Sequence, residues 1–270
     1  MMTRSISAFF GLLLLSAGAA AQAANGAPAD VAATIKSRIE AGFAGVHVEH
    51  VQPTPWAGLY EVLAGDELVY TTADASVVIA GNAVDVKSGR NLTAERLGEL
   101  RSIDWNTLPL DLAIKVVKGD GSRKLAVFAD PLCPYCQKLE TEMKDVTNVT
   151  IYTFPFPLET VHPGATEKAR QIWCAADRGA VWTEWMVNHT TTPARADCDT
   201  TGLTAARDLG TKLKVNSTPT LFFGNGRRFD GALERSDLEQ RLNAAQAAPG
   251  TAAKDKVSAT ASAPAAVPPG

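Results

Sequence analysis

The feature that most constrains this chain is a C-x-x-C pair at the junction between a strand and a helix. Cys133 and Cys136 enclose Pro134 and Tyr135, directly after the apolar run 124–130 and before an amphipathic stretch. Proline is favoured at the first position of a helix, where its missing N–H leaves no bond unmade, so Cys133 is expected to be the N-cap residue. The positive end of the helix dipole lowers the pKa of a thiol placed there. The pair is therefore predicted to be redox-active.

Two other uses of the C-x-x-C spacing are disfavoured by the surrounding residues. Covalent haem attachment requires a histidine directly after the second cysteine, and this chain has Gln137. A structural zinc site requires a second close pair of cysteines or histidines. Each histidine is expected to be an ordinary surface or core residue, and the four are His47, His50, His162 and His189. No metal and no cofactor is expected.

The first residues predict export. A positively charged start, the apolar run 6–15 and the small-x-small sequence Ala21-Gln22-Ala23 form the pattern of a cleaved secretory signal peptide, residues 1–23. A membrane anchor is disfavoured because this run is shorter than the roughly 20 residues of a span, and no later segment is apolar enough to cross a bilayer. The formal charge of -3, with no basic block, argues against nucleic acid as a partner.

The other two cysteines are predicted to form a structural disulfide. The chain has four cysteines, and an even number in an oxidising compartment favours pairing. Cys133 and Cys136 are close neighbours, which leaves Cys174 and Cys198 for each other. Connectivities that join the C-x-x-C cysteines to these distant partners stay open but are less favoured.

The N-terminal half has the pattern of a small α+β domain, residues 24–90. Apolar residues at four-residue spacing predict a helix over 28–42. The period then changes to two, which predicts antiparallel hairpins. The predicted strands cover 46–51, 59–63, 68–72, 77–80 and 83–86. A helix over 91–103, capped by Thr93 or a neighbour, is expected to form the main part of a linker, residues 91–108.

The C-terminal half alternates strands and helices in the order typical of a thioredoxin-like domain, here residues 109–246. A helical insertion, 159–214, separates a β-α-β half from a β-β-α half. The predicted strands cover 114–117, 125–129, 149–154, 220–223 and 227–230, and the last helix covers 236–245. Ala, Pro, Ser and Gly dominate residues 247–270, a composition that predicts a disordered tail.

A second motif, Ser217-Thr218-Pro219, directly precedes one of these strands. In a thioredoxin-like fold a proline here is normally cis and lies against the C-x-x-C pair. The preceding residue can then offer its backbone N–H and C=O to an extended client chain, as in β-augmentation. Thr218 and Pro219 are thus predicted to bind substrate, and Thr218 to influence the neighbouring sulfur. The alternative is a trans proline that opens an edge strand.

These segments together resemble the DsbC/DsbG family of periplasmic thiol:disulfide interchange proteins. In the C-terminal half the resemblance rests on the run from Phe128 to Leu139, on 172–177 and 198–199, and on the Ser-Thr-Pro motif. In the N-terminal half it rests on 70–74, Gly81 and 85–86. The resemblance implies a V-shaped homodimer in which cystatin-like N-terminal dimerisation domains and linker helices carry two thioredoxin-like catalytic domains.

The resemblance also implies the roles of the site residues. Cys133 would be the attacking thiolate, Cys136 the resolving thiol, and Cys174–Cys198 the structural bridge. The implied substrate-binding residues are Pro134, Tyr135, Thr218 and Pro219.

The implied function is to isomerise or reduce non-native disulfides in exported proteins, with a membrane thiol reductase as the electron donor. The dipeptide Pro134-Tyr135 resembles the DsbG branch, whereas DsbC proteins usually carry Gly-Tyr. A DsbG-like reductase that protects single oxidised cysteines is therefore an alternative. A non-catalytic holdase chaperone is another, while a donor oxidase is disfavoured because such oxidases generally lack a dimerising arm.

Overall fold

A computed structural model of the chain describes residues 26–190 and 198–247. The predicted signal peptide lies outside the described residues, as does nearly all of the predicted disordered tail. The chain folds into two compact units, the first ending at Ala80 and the second beginning at Gly81. The domain bounds expected from the sequence stay a prediction.

The first unit is one helix packed on a four-stranded antiparallel sheet. Its elements are α1 (Ala29–Gly42), β1 (Val48–Pro53), β2 (Tyr60–Ala64), β3 (Glu67–Thr71) and β4 (Val78–Ile79), and the strands neighbour each other in chain order. Ile35 and Ile39, one turn apart on α1, pack with strand residues in a small apolar cluster. The strand members of that cluster are Val48, Val62 and Val69. The apolar residues that recur every four positions on the helix thus pack against apolar residues on one face of the strands, and together they form one core.

The predicted hairpin between 77–80 and 83–86 is wrong. The strand β4 pairs with β3 alone, and residues 83–86 form no strand. The Asp85 carboxylate accepts the backbone N–H groups of Lys87 and Ser88, a local turn that competes with strand pairing. Val86 is 98% exposed, and no strand among the described residues pairs with it.

The second unit has a five-stranded mixed sheet with helices on both faces. Its strands are β5 (Ile114–Lys118), β6 (Arg123–Ala129), β7 (Val149–Pro155), β8 (Thr220–Phe223) and β9 (Arg228–Asp230). Its helices are α2 (Leu92–Leu100), α3 (Pro134–Glu142), α4 (Ala165–Trp173), α5 (Arg178–Asn188), α6 (Thr201–Lys212) and α7 (Arg235–Ala247). The sheet order is β5-β7-β6-β8-β9, and only β6 and β7 run parallel, joined through α3. This is the predicted thioredoxin-like architecture with its helical insertion, α4 to α6.

Alternate residues of β6 belong to two separate cores. Leu125 and Val127 pack with α3, α5 and α7 in one cluster, which also contains Cys133 and Cys136. Ala126 and Phe128 lie in the other, where Phe128 stacks on Phe154 at a ring-centroid distance of 4.9 Å. The central strand is buried on both faces, as expected for a strand beside a parallel neighbour.

The predicted linker helix is α2, and it packs against β9 inside the second unit. Its N-cap is Asn91, whose side chain accepts the Ala94 N–H at 2.9 Å, rather than Thr93. Gly98 lies so close to β9 that a β-carbon there would collide with the Arg228 carbonyl oxygen. The helix ends at Leu100, earlier than predicted, because the chain turns to bring the Ile103 N–H to the Gly226 carbonyl at 3.0 Å.

Candidate active site

The C-x-x-C pair lies at the junction between β6 and α3. Cys133 is the N-cap residue, with φ -74° and ψ 120°, and Pro134 is in the first helical turn, as the sequence predicted. The Cys133 carbonyl accepts the N–H groups of Cys136 at 3.0 Å and Gln137 at 3.1 Å, which starts the helix. The Cys133 N–H in turn donates to the Asp130 carbonyl at 3.2 Å. Both thiols are free, and the two residues are 3% and 1% exposed.

The Ser-Thr-Pro motif lies beside the first cysteine. The Thr218–Pro219 peptide bond is cis. Cys133 Sγ lies 3.4 Å from the Thr218 carbonyl oxygen, to which it donates a hydrogen bond when the thiol is protonated. Pro219 is buried, Thr218 is half-buried, and Tyr135 is 67% exposed. The fold therefore brings Cys133, Cys136 and Thr218 together and leaves Tyr135 at the surface next to them.

The pKa values of the two thiols move in opposite directions. The pKa of Cys133 falls from its ordinary value of 9.0 to about 5, first because the Cys136 thiol donates a hydrogen bond to its sulfur. The Thr218 side chain and the N–H groups of Cys136 and Tyr135 also lower this pKa, while burial opposes them. Burial raises the pKa of Cys136 far above its ordinary value, and the neighbouring Cys133 raises it further. One sulfur is thus ionised at neutral pH and the other is protonated.

The Thr218 hydroxyl is a donor held next to both sulfurs. It is buried and makes no hydrogen bond of ordinary geometry within the described residues. It nevertheless lies close enough to lower the pKa of Cys133 and of Cys136. Since a hydroxyl hydrogen rotates freely, it can turn toward whichever sulfur is negative.

A buried carboxylate accepts hydrogen bonds that hold the loop carrying Cys133 in place. Asp130 is 0% exposed and accepts the Leu132 N–H at 2.7 Å and the Leu158 N–H at 2.7 Å. It also lies 3.0 Å from Nδ1 of His162. The sequence pattern assigns no role to His162, and the structure places it at the active-site loop.

Trp185 fixes the same loop from the insertion. Its indole N–H donates to the Pro131 carbonyl at 2.8 Å, and the Lys168 ammonium lies 3.7 Å from its ring centroid. Helix α5 thus contacts the loop of Cys133 directly, and α4 contacts it through the Trp185 ring. Nothing in the spacing of these residues indicates this contact.

Cys174 and Cys198 form a disulfide in the insertion, as the sequence predicted. Cys174 is the C-cap residue of α4, and it is 2% exposed. The adjacent Trp173 donates its indole N–H to the Asp199 carbonyl at 3.0 Å and carries the Arg178 guanidinium on its ring. The bridge and this indole contact therefore join the same two chain segments.

Within residues 26–190 and 198–247, no group of three or more His, Cys, Asp or Glu side chains is arranged to hold a metal ion. None of the helices in these ranges has both the length and the apolar character needed to cross a bilayer.

Comparison with known proteins finds matches to both halves of the chain. Residues 110–246 match the model of the thioredoxin-like domain, and residues 17–94 match that of the disulfide bond isomerase protein N-terminal domain. The chain is 44% identical over 216 residues to the "Probable thiol:disulfide interchange protein DsbC" of Bordetella parapertussis, covering 80% of this chain and 76% of that protein. It is 26% identical over 201 residues to the thiol:disulfide interchange protein DsbC of Escherichia coli, covering 74% and 83%.

A solved structure is similar to about half of this chain. The disulfide interchange protein from Neisseria gonorrhoeae superposes with a TM-score of 0.50 at 40% identity, covering 52% of this chain and 99% of that one. The fold, with its C-x-x-C pair at a helix N-terminus, defines a thiol-disulfide oxidoreductase of the thioredoxin class. Within that class, the chain belongs to the DsbC family of thiol:disulfide interchange proteins.

Proposed function

We propose that this chain isomerises or reduces non-native disulfides in exported proteins, with Cys133 as the attacking thiolate and Cys136 as the resolving thiol. The observation that carries the proposal is the position of Cys133 at the N-terminus of α3, with the Thr218 carbonyl 3.4 Å from its sulfur. A pKa of about 5 makes Cys133 a thiolate at neutral pH, the form that attacks disulfides. The raised pKa of Cys136 keeps it protonated and prevents it from competing for the client.

The reaction proceeds through a mixed disulfide. Cys133 Sγ attacks one sulfur of the client disulfide, that S–S bond breaks, and the other client sulfur leaves as a thiolate. The freed client thiolate can then attack a different disulfide of the client, which is isomerisation. When it does not, Cys136 attacks Cys133 Sγ, releases the reduced client and leaves Cys133 and Cys136 joined. A membrane thiol reductase then restores the dithiol.

The residues proposed to bind the client are Pro134, Tyr135, Thr218 and Pro219, of which Pro134 and Tyr135 are exposed next to Cys133. This assignment is supported by the exposure of Tyr135 and by the contact between Cys133 and the Thr218 carbonyl. Because the named relatives are DsbC proteins, isomerisation is preferred over a DsbG-like function even though Pro134-Tyr135 resembles that branch.

The test uses the two single-cysteine variants. Cys133→Ser is expected to abolish refolding of a scrambled multi-disulfide client, since no thiolate remains to attack. Cys136→Ser is expected to accumulate a mixed disulfide that migrates as a larger species on a non-reducing gel. Full refolding activity in a folded Cys133→Ser variant would instead favour the holdase alternative.

We further propose a periplasmic homodimer, exported by the signal peptide and joined through the first unit. The match to the isomerase N-terminal domain supports this. The edge strand β4 and its flank also expose apolar side chains, with Val77 54% and Ile79 47% exposed.

Ile79→Lys is expected to yield monomers by light scattering. The matched control is Val117→Lys, 55% exposed on the edge strand β5 of the second unit, which is expected to leave the dimer intact. A wild-type protein that is monomeric by light scattering would contradict the proposed homodimer.

A further inference from the structure

The backbone of Asp130 contacts both cysteines of the active site. Its carbonyl accepts the Cys133 N–H at 3.2 Å. Its own N–H is hydrogen-bonded to the sulfur of Cys136 and lowers the pKa of that thiol, whereas burial raises it. Asp130 directly follows β6 and is 0% exposed. The position of this one residue therefore bears on the reactivity of Cys136 as well as on the geometry of Cys133.

The side chain of Asp130 is held by three groups. Its Oδ1 accepts the Leu132 N–H and its Oδ2 accepts the Leu158 N–H, each at 2.7 Å. Nδ1 of His162 lies 3.0 Å from the same Oδ2. Because a carboxylate can only accept hydrogen bonds, we assign the ring hydrogen to Nδ1, which makes His162 the donor. Both carboxylate oxygens are thus engaged away from the sulfurs.

The turn 158–162 presents His162 to this carboxylate. The Leu158 carbonyl accepts the His162 N–H at 2.8 Å, so the two residues that reach Oδ2 are also bonded to each other. On the other side, the Glu159 carboxylate accepts the Gly164 N–H at 2.7 Å. The imidazole is therefore placed by its own backbone. Its side chain is 21% exposed, so it can be replaced without emptying a fully buried site.

We propose that His162 is a positioning residue for the resolving step of the interchange reaction. This inference rests on the cysteine roles proposed above. The Nδ1–H of His162 holds the Asp130 carboxylate, and the fixed Asp130 directs its backbone N–H at the Cys136 sulfur. As Cys136 attacks Cys133 Sγ, its thiol proton passes to water and negative charge develops on its sulfur. A donor that is already in place stabilises this charge without reorganisation, which makes resolution faster.

A stopped-flow reaction measures the two thiol steps separately. The reduced full-length protein is mixed with the chromogenic disulfide dithiobis(nitrobenzoate), which releases one coloured thiolate when Cys133 attacks and a second when Cys136 resolves the mixed disulfide. The first release depends on the concentration of the reagent. The second does not, and it therefore reports the step in which His162 is proposed to act.

The test compares two variants of nearly the same shape. His162→Leu removes the donor and is expected to slow the second release about fivefold, the equivalent of one typical net hydrogen bond. His162→Asn keeps an N–H donor, and its second release is expected to stay within about twofold of the wild type. The first release is expected to be unchanged in both, because a Cys133 pKa of about 5 leaves that thiol ionised at neutral pH.

The matched control is another histidine that faces a carboxylate. Nδ1 of His47 lies 3.1 Å from a carboxylate oxygen of Glu40 in the first unit. His47→Leu removes a pair of the same kind outside the active-site loop, and it is expected to change neither release.

A double variant tests the route through Asp130. Asp130→Ala removes the group on which His162 acts, so adding His162→Leu is expected to slow the second release no further. Two substitutions that act through one shared contact are not additive. Further slowing in the double variant would show that His162 acts by another route, which overturns the proposal.

Three other results overturn the proposal. These are an unchanged second release in His162→Leu, an equal slowing in His162→Leu and His162→Asn, and an equal slowing of both releases. If Asp130→Ala does not fold, the comparison of the leucine and asparagine variants decides. Persistence of the first release in Cys133→Ser would instead contradict the cysteine roles of the proposed function.

Discussion

The first cysteines of the two pairs, Cys133 and Cys174, lie at opposite ends of helices. Cys133 is the N-cap of α3, where free N–H groups and the positive end of the dipole favour a thiolate. Cys174 is the C-cap of α4, where the carbonyl groups disfavour negative charge, and it is held in a disulfide. All four residues have the same side chain, so the difference in chemistry comes from their position on the helix and their neighbours. The insertion pair stabilises the fold, and the α3 pair is available for exchange.

The largest expected contrast between the pairs is in alkylation. Cys133 is expected to react with iodoacetamide at a rate that is constant above about pH 6 and falls about tenfold per pH unit below its pKa of about 5. Because the folded pKa is lowered, the thiolate also stabilises the reduced fold. That contribution is complete above the ordinary value of 9.0 and is lost as pH falls through about 5. Mass spectrometry at each pH locates the label. A midpoint near pH 9 in the alkylation rate of Cys133 would show that its pKa is that of an ordinary cysteine.

Removing the insertion disulfide is expected to change stability and leave thiol chemistry in place. The double variant Cys174→Ala with Cys198→Ala opens a loop with a sequence separation of 24, which corresponds to about 3 kcal/mol in the free energy of unfolding. Guanidinium unfolding measures this loss. Alkylation of Cys133 in the folded double variant is expected to match the wild type, and a large fall in that rate would show that the bridge also shapes the active site.

Disturbing the hydrogen bonds of Asp130 to the Cys133 loop is expected to have a smaller effect on stability. Asp130→Asn keeps the volume but replaces one acceptor oxygen by an NH₂ group that faces the Leu132 or the Leu158 N–H. A buried donor left without a partner is expected to lower the free energy of unfolding by about 2 kcal/mol. Denaturant unfolding checks this, and Asp120→Asn, on an exposed turn after β5, is the control that is expected to change little.

The smallest expected effect is that of the indole contact to the loop. Trp185→Phe removes the hydrogen bond to the Pro131 carbonyl and is expected to lower the free energy of unfolding by about 1 kcal/mol. The rate of Cys133 alkylation is expected to change by less than about threefold, because the helix N-terminus and Thr218 remain. A loss as large as that of Asp130→Asn would place the main support of the loop in the insertion.

The sequence predicted the parts of the site that depend on local chemistry. The position of Cys133 as N-cap follows from Pro134 directly after it, and the Cys174–Cys198 pairing follows from the small number of cysteines. The contact between Asp130 and His162 could not be predicted, because it joins two loops and neither residue has a distinctive neighbour. Glu140 has the sequence surroundings of a solvent-facing residue in a polar helix, yet it is buried and its carboxylate accepts the indole N–H of Trp182 from α5.

Local hydrogen bonds also explain two differences between prediction and structure in the first half of the chain. Alternating apolar residues in 83–86 predict a strand. Among the described residues this segment instead forms an isolated antiparallel bridge between Val84 and Asn91, and the Asp85 side chain accepts the backbone N–H groups that follow it. Thr93 is not the cap because Asn91 accepts the Ala94 N–H, while Thr93 accepts the Ala83 N–H at 2.8 Å. Both differences arise from side chains that bond to nearby backbone, which periodicity does not record.

The contact between Ile103 and Gly226 has a practical consequence for anyone who wishes to produce the second unit by itself. Gly226 has φ +81°, and a β-carbon there would collide with the Ile103 carbonyl oxygen, so the turn after β8 is shaped to receive that upstream segment. An expression fragment cut at residue 109 would lack this segment and leave an open cleft in its place. A fragment that begins before Asn91 keeps α2 and the turn together, and it is the better choice for crystallisation or spectroscopy.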